Sequence, residues 1–88
     1  MAATPASILV VEDEGSIASF VSLYLKNAGF TVRTAATGGD ALASVRSETP
    51  TLIVLDLMLP DIDGIEVCRQ IRATSDVPIL MLDRKSVV

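Results

Sequence analysis

Two short aliphatic runs each end on acid. Ile8-Leu9-Val10-Val11 leads into Glu12-Asp13-Glu14, and Leu52-Ile53-Val54-Leu55 leads into Asp56. Continuous apolar runs of this length, rich in β-branched residues, read as strands buried on both faces. In an open parallel sheet, ligands bind beyond the carboxyl ends of the strands. If the two runs are neighbours, about 4.8 Å apart, three or four carboxylates converge on one spot. An oxygen-seeking divalent cation relieves such a cluster. Mg²⁺ needs only one or two carboxylates, because water, carbonyl and phosphate oxygens complete its shell. A carboxylate beside bound Mg²⁺ can also attack phosphorus and form an aspartyl-phosphate. Asp56, alone at the end of its run, is the candidate nucleophile. Glu12 and Asp13 are the candidate Mg²⁺ ligands.

Helix capping competes for some of these acids. It is the expected role of Glu14, and for Asp13 the two roles balance. Asp56 is followed by Leu57-Met58-Leu59-Pro60, which is no helix start, so capping explains it poorly. Asp61 and Asp63 read as a turn residue and an N-cap. Cys68 falls on an apolar helix face, where cysteine behaves as a small core hydrophobe.

The elements that must position the acids alternate in type. Ile17, Val21, Tyr24, Leu25 and Ala28 recur at helical spacing after the first run, and Gly29 fits the position that ends a helix. Phe30–Thr34 alternates as an edge strand does. Thr37 and Asp40 have cap spacing ahead of Ala41, Leu42 and Val45. Asp63 and Glu66 repeat that spacing ahead of Val67, Cys68 and Ile71. Pro78–Leu82 reads as a fourth strand, with proline at its start, where a missing N–H is tolerated. The order β-α-β-α-β-α-β predicts an α/β fold: a doubly wound parallel sheet with right-handed crossovers and helices on both faces.

Bulk composition narrows the chemistry. The 88 residues allow at most one small domain, and half of them are hydrophobic, which argues for a packed core. Aromatics make up only 3%, so that core is aliphatic. With no histidine and a single cysteine, zinc-finger spacings, histidine acid–base catalysis and Cys–His nucleophile pairs are excluded. A net charge of −4 attracts neither nucleic acid nor an anionic membrane. No apolar stretch approaches the ~20 residues of a membrane span, and residues 1–5 lack the basic and apolar parts of a signal peptide. The expectation is a soluble, cytoplasmic protein.

These residues resemble a known family. Ile8-Leu9-Val10-Val11-Glu12-Asp13-Glu14 is similar to the first strand and acidic pair of response-regulator receiver domains. Asp56-Leu57-Met58-Leu59-Pro60-Asp61-Ile62-Asp63-Gly64 looks like their phosphoacceptor loop, with Asp, Pro and Gly at the family's spacing. The Leu-Met-Leu-Pro wording resembles regulators that carry a winged-helix DNA-binding domain. The resemblance covers roughly residues 7–82. It implies a flavodoxin-like sheet of strand order 2-1-3-4-5. It also implies that Glu12 and Asp13 hold Mg²⁺, that Asp56 accepts the phosphoryl group and that the Met58 carbonyl completes the metal site. Pro60 and Gly64 would shape the loop, and the donor would be a phosphohistidine of a sensor histidine kinase. Such a domain transfers a phosphoryl group to itself and is not a turnover enzyme.

Two departures accompany the resemblance. Asp83 stands where the family has Ser or Thr, and no fifth-strand lysine follows, since Lys85 comes too early. The chain therefore reads as a tail (1–6) and a partial receiver (7–88) without the last strand and last two helices. That leaves the fourth strand as a sheet edge, with self-association through it and exposed sheet surface at Val10 and Val54. Two other readings remain open. One is a partner that only binds or titrates a kinase. The other is a Mg²⁺-dependent phosphohydrolase with an aspartyl nucleophile, although Met58 stands where such enzymes place a second acid.

Overall fold

The structure is a computed structural model and describes residues 6–82. Along the chain it contains β1 (Ser7–Val11), α1 (Gly15–Asn27), β2 (Thr31–Ala35), α2 (Gly38–Ser47), β3 (Leu52–Asp56), α3 (Gly64–Arg72) and β4 (Ile79–Leu82). The four strands form one sheet of order β2-β1-β3-β4, with every neighbouring pair parallel. The sequence expectation of a parallel α/β sheet holds. Asp83, Lys85 and the rest of the C-terminal segment lie outside the described residues.

Residue alternation along β1 and β3 divides the core in two. Leu9, Val11, Ile53 and Leu55 point to the side covered by α2 and α3, where Ala41, Leu42, Val45, Val67 and Ile71 close over them. Ile8, Val10 and Val54 point the other way, toward Val21 and Leu25 of α1. Each fully buried aliphatic side chain contributes about 1.5–3 kcal/mol relative to exposure. The central strands therefore hold the site on the most strongly packed part of the molecule.

Local chemistry sets the boundaries. Gly29 has φ +100° and ends α1. Its N–H donates to the Lys26 carbonyl, and the Phe30 N–H donates back to the Leu25 carbonyl, the two bonds of a Schellman closure. That closure uses the Phe30 N–H, so β2 begins at Thr31 and not at Phe30 as the alternation suggested. Thr37 caps α2 by accepting from the Asp40 N–H, and Asp63 caps α3 by accepting from the Glu66 N–H.

Two surface expectations need correction. Val10 and Val54 are buried, because α1 lies directly over them. Tyr24, placed on the inner face of α1 by its spacing, is 70% exposed, and Phe20 is 72% exposed. The buried side of α1 is turned toward Ser22 and Leu25 instead. Among the described residues no second helix shares that side of the sheet, so part of the apolar arc of α1 has nothing to pack against. Exposed apolar surface lies there and along β4, where Leu80, Met81 and Leu82 are all exposed, and Met58 and Ile65 are exposed elsewhere. Among the described residues β4 pairs only with β3 and is a sheet edge, as expected.

Candidate functional site

Sheet register brings the acids together. Val11 of β1 pairs with Leu55 of β3, so Glu12 and Asp56 leave the sheet at the same level on adjacent strands. Asp56 is the last residue of β3 and is fully buried; Glu12 is buried and Asp13 is exposed. One oxygen from each of the three carboxylates lies within 4.8 Å of the others. Backbone contacts hold two of them. The Glu12 N–H donates to the Ala35 carbonyl at 3.0 Å, and Glu12 Oε2 accepts from the Glu14 N–H at 3.0 Å. Asp56 Oδ1 accepts from the Met58 N–H at 3.0 Å, which turns the chain back at the strand end. A groove of about 550 Å³ opens beside Glu12 and Asp13, between α1 and the end of β2.

The donors are all hard oxygens, and the exposed side at Asp13 leaves room for water. This suits Mg²⁺, Mn²⁺ or Ca²⁺ better than the softer transition metals. Glu14 occupies the N-cap position of α1, but its side chain makes no cap hydrogen bond. Its carboxylate accepts from the Ser16 hydroxyl instead, and its backbone carbonyl accepts from the Ala18 N–H.

The wall behind Asp56 depends on Gly64. The Gly64 N–H donates to the Leu57 carbonyl at 3.0 Å. A Cβ at Gly64 would stand 2.7 Å from Leu57 Cα and 2.8 Å from the Asp56 carbonyl oxygen. A side chain there would force these backbone atoms to move. On α3, Glu66 accepts from Arg69 at 3.0 and 2.6 Å and from Gln70 at 3.0 Å. Arg69 first, then Gln70, lowers the Glu66 pKa, and the same pairing raises that of Arg69. Cys68 is half-buried against the core.

Asp61 does more than turn the chain. Its two carboxylate oxygens accept from the N–H groups of Gly38 at 2.8 Å and Gly39 at 2.9 Å, at the start of α2. These bonds, Gly39 first, hold its pKa below the ordinary value. The sequence gives a faint signal of this only in Gly38-Gly39, which place two side-chain-poor N–H donors just inside a helix start.

Known proteins share this fold. The family profile of the response regulator receiver domain matches residues 8–87. The chain belongs to that family. It is 48% identical over 80 residues to the transcriptional regulatory protein AfsQ1 of Streptomyces coelicolor, covering 91% of this chain and 36% of that protein. It is 51% identical over 79 residues to the alkaline phosphatase synthesis transcriptional regulatory protein PhoP of Bacillus subtilis, covering 89% and 33%. The chain thus spans about a third of the length of these relatives. Among solved structures, a putative response regulator from Chloroflexus aurantiacus superposes with TM-score 0.84 at 37% identity, covering 89% of this chain and 66% of that one. The BeF3-activated receiver domain of Klebsiella pneumoniae RstA gives TM-score 0.84 at 32% identity, covering 88% and 66%.

Proposed function

We propose that this chain is the phosphoacceptor module of a two-component response regulator, taking a phosphoryl group from a sensor histidine kinase onto Asp56. The observation that carries the reading is the position of Asp56, fully buried at the end of β3, with carboxylate oxygens of Glu12 and Asp13 within 4.8 Å. A carboxylate oxygen of Asp56 forms the new O–P bond as the N–P bond to the donor imidazole breaks, and the electron pair leaves on that nitrogen. The Met58 N–H on Oδ1 holds the carboxylate in one orientation, so little reorientation is needed at reaction. A divalent ion held by Glu12, Asp13, Asp56 and the Met58 carbonyl would offset the negative charge that otherwise opposes approach of a phosphoryl group. Such a module modifies itself and does not turn over a substrate.

The setting follows from the same reading. A kinase-fed module with a lone cysteine suits the reducing cytoplasm. The transcriptional roles in the names of its relatives make transcription control the proposed output of a regulator carrying this module. The phosphohydrolase alternative needs an acid two residues after the nucleophile, and Met58 supplies none. The test is incubation with acetyl phosphate and Mg²⁺ followed by intact-mass measurement. One phosphoryl group should add to the chain and none to Asp56→Asn; labelling that persists in Asp56→Asn refutes the assignment.

A further inference from the structure

The loop from β3 to α3 carries Met58, and three residues later it carries Asp61. The Asp61 carboxylate bridges two N–H groups of the first turn of α2, those of Gly38 and Gly39, which lie 23 and 22 residues earlier in the chain. The first-turn N–H groups of a helix have no partner within the helix, and the positive end of the helix dipole favours an anion there. The surfaces beside this bridge are close as well. A Cβ on Gly38 would lie 2.8 Å from Val67 Cγ2 and 3.0 Å from Ile62 Cβ, so the start of α2 rests directly on the loop and on α3. Thr37 caps the same helix end, but its hydroxyl accepts from Asp40, within α2, and not from the loop. One end of α2 is therefore satisfied by two acceptors, of which only Asp61 ties it to the loop.

We propose that Asp61 is a positioning residue for the metal site: by clamping the loop to α2 it fixes the segment that carries Met58, and so sets how tightly the site holds a divalent cation. This rests on the divalent-cation reading given above. Loss of a partner that orients a ligand typically weakens metal binding by about 10–100-fold. Because Asp61 is exposed and acts through backbone, the low end, roughly tenfold, is the expected effect of Asp61→Ala.

The experiment measures Mn²⁺ binding to the 88-residue chain by electron paramagnetic resonance, with Asp61→Ala, Asp61→Asn and Thr37→Ala beside the unmodified protein. Thr37→Ala removes a cap from the same helix end without releasing the loop, so it reports what a merely structural loss does. The expected result is a dissociation constant raised roughly tenfold in Asp61→Ala and unchanged in Thr37→Ala. Asp61→Asn keeps one carbonyl acceptor and should fall between, which separates loop release from simple unfolding. If the unmodified chain binds Mn²⁺ and Asp61→Ala binds it equally well, the positioning role is overturned while the metal site stands. Equal weakening in Asp61→Ala and Thr37→Ala overturns it too, because helix-end stability then explains both. An unmodified chain that binds no Mn²⁺ overturns the metal reading and this inference together.

Discussion

Gly64→Ala is the most direct perturbation of the wall behind Asp56. Gly64 has no positive φ, so the objection to a side chain there is contact, not backbone conformation. The added Cβ would meet Leu57 Cα at 2.7 Å and the Asp56 carbonyl oxygen at 2.8 Å, both backbone atoms that no rotamer change can move. Opening 2.7 Å to the 3.4 Å of an ordinary contact separates α3 from the loop by about 0.7 Å. Overpacking of this kind costs about 1–3 kcal/mol. Replacing glycine returns about 0.4–1 kcal/mol through the unfolded chain, so a net loss of about 1–2 kcal/mol is expected. For a domain of this size that lowers the melting temperature by roughly 5–15 °C. A displacement of this size at the reacting group should also slow acetyl-phosphate labelling on the order of tenfold. Gly39→Ala is the matched control, because its Cβ would approach Asp61 Oδ2 only to 3.4 Å. Urea unfolding and labelling rates measure both effects. If Gly64→Ala matches Gly39→Ala in midpoint and in rate, the steric reasoning is refuted.

Three further outcomes are expected. Mg²⁺ should raise the melting temperature of the chain by mass action, and Asp13→Ala should lose most of that rise; an unchanged metal response removes Asp13 from the ligand set. The pKa of Asp61 is lowered by Gly39 and Gly38, and that of Glu66 by Arg69 and Gln70, so both contribute stability above their ordinary values of 3.8 and 4.5. That stability is lost as pH falls below those values, and Asp61→Asn should show a flatter acid dependence in urea unfolding below pH 3.8. Finally, the exposed apolar edge of β4, with Leu80 54% exposed, should make the chain self-associate in sedimentation. Leu80→Lys should reduce this, and a monodisperse unmodified monomer would falsify the edge argument.

The strands and the acids at their ends were legible because both depend on short-range patterns, whereas the meeting of those acids depends on the pairing of β1 with β3. An uninterrupted aliphatic run of this length reads as a sheet strand, buried on both faces in β1 and β3 though not at the β4 edge, and the residue that follows it emerges at a sheet end. The caps at Thr37 and Asp63 were legible for the same reason, since donor and acceptor lie three residues apart. The clamp at Asp61 was not, because it joins a side chain to backbone N–H groups that every residue but proline carries. Beyond the Gly38-Gly39 pair, no residue type marks such a partner in advance. The exposure of Tyr24 was hidden for a different reason. Helical spacing tells which residues share an arc of α1, but only the packed sheet decides which part of that arc is covered.

The burial of Asp56 itself argues for chemistry over architecture. Removing a carboxylate from water costs several kcal/mol unless hydrogen bonds and opposite charge replace the lost hydration. The Met58 N–H supplies part of that replacement, but two further carboxylates within 4.8 Å add repulsion. A residue needed only to end β3 could be a serine or an asparagine, which would make the same turn bond without the charge. Glu12 poses the same problem on the neighbouring strand, where it too is buried. Two buried acids, held at one level by the pairing of Val11 with Leu55, gain from positive charge brought to that position. On the proposed reading a divalent cation would bring that charge, and a phosphoryl group would then find both a nucleophile and a counter-charge at the end of the same strand pair.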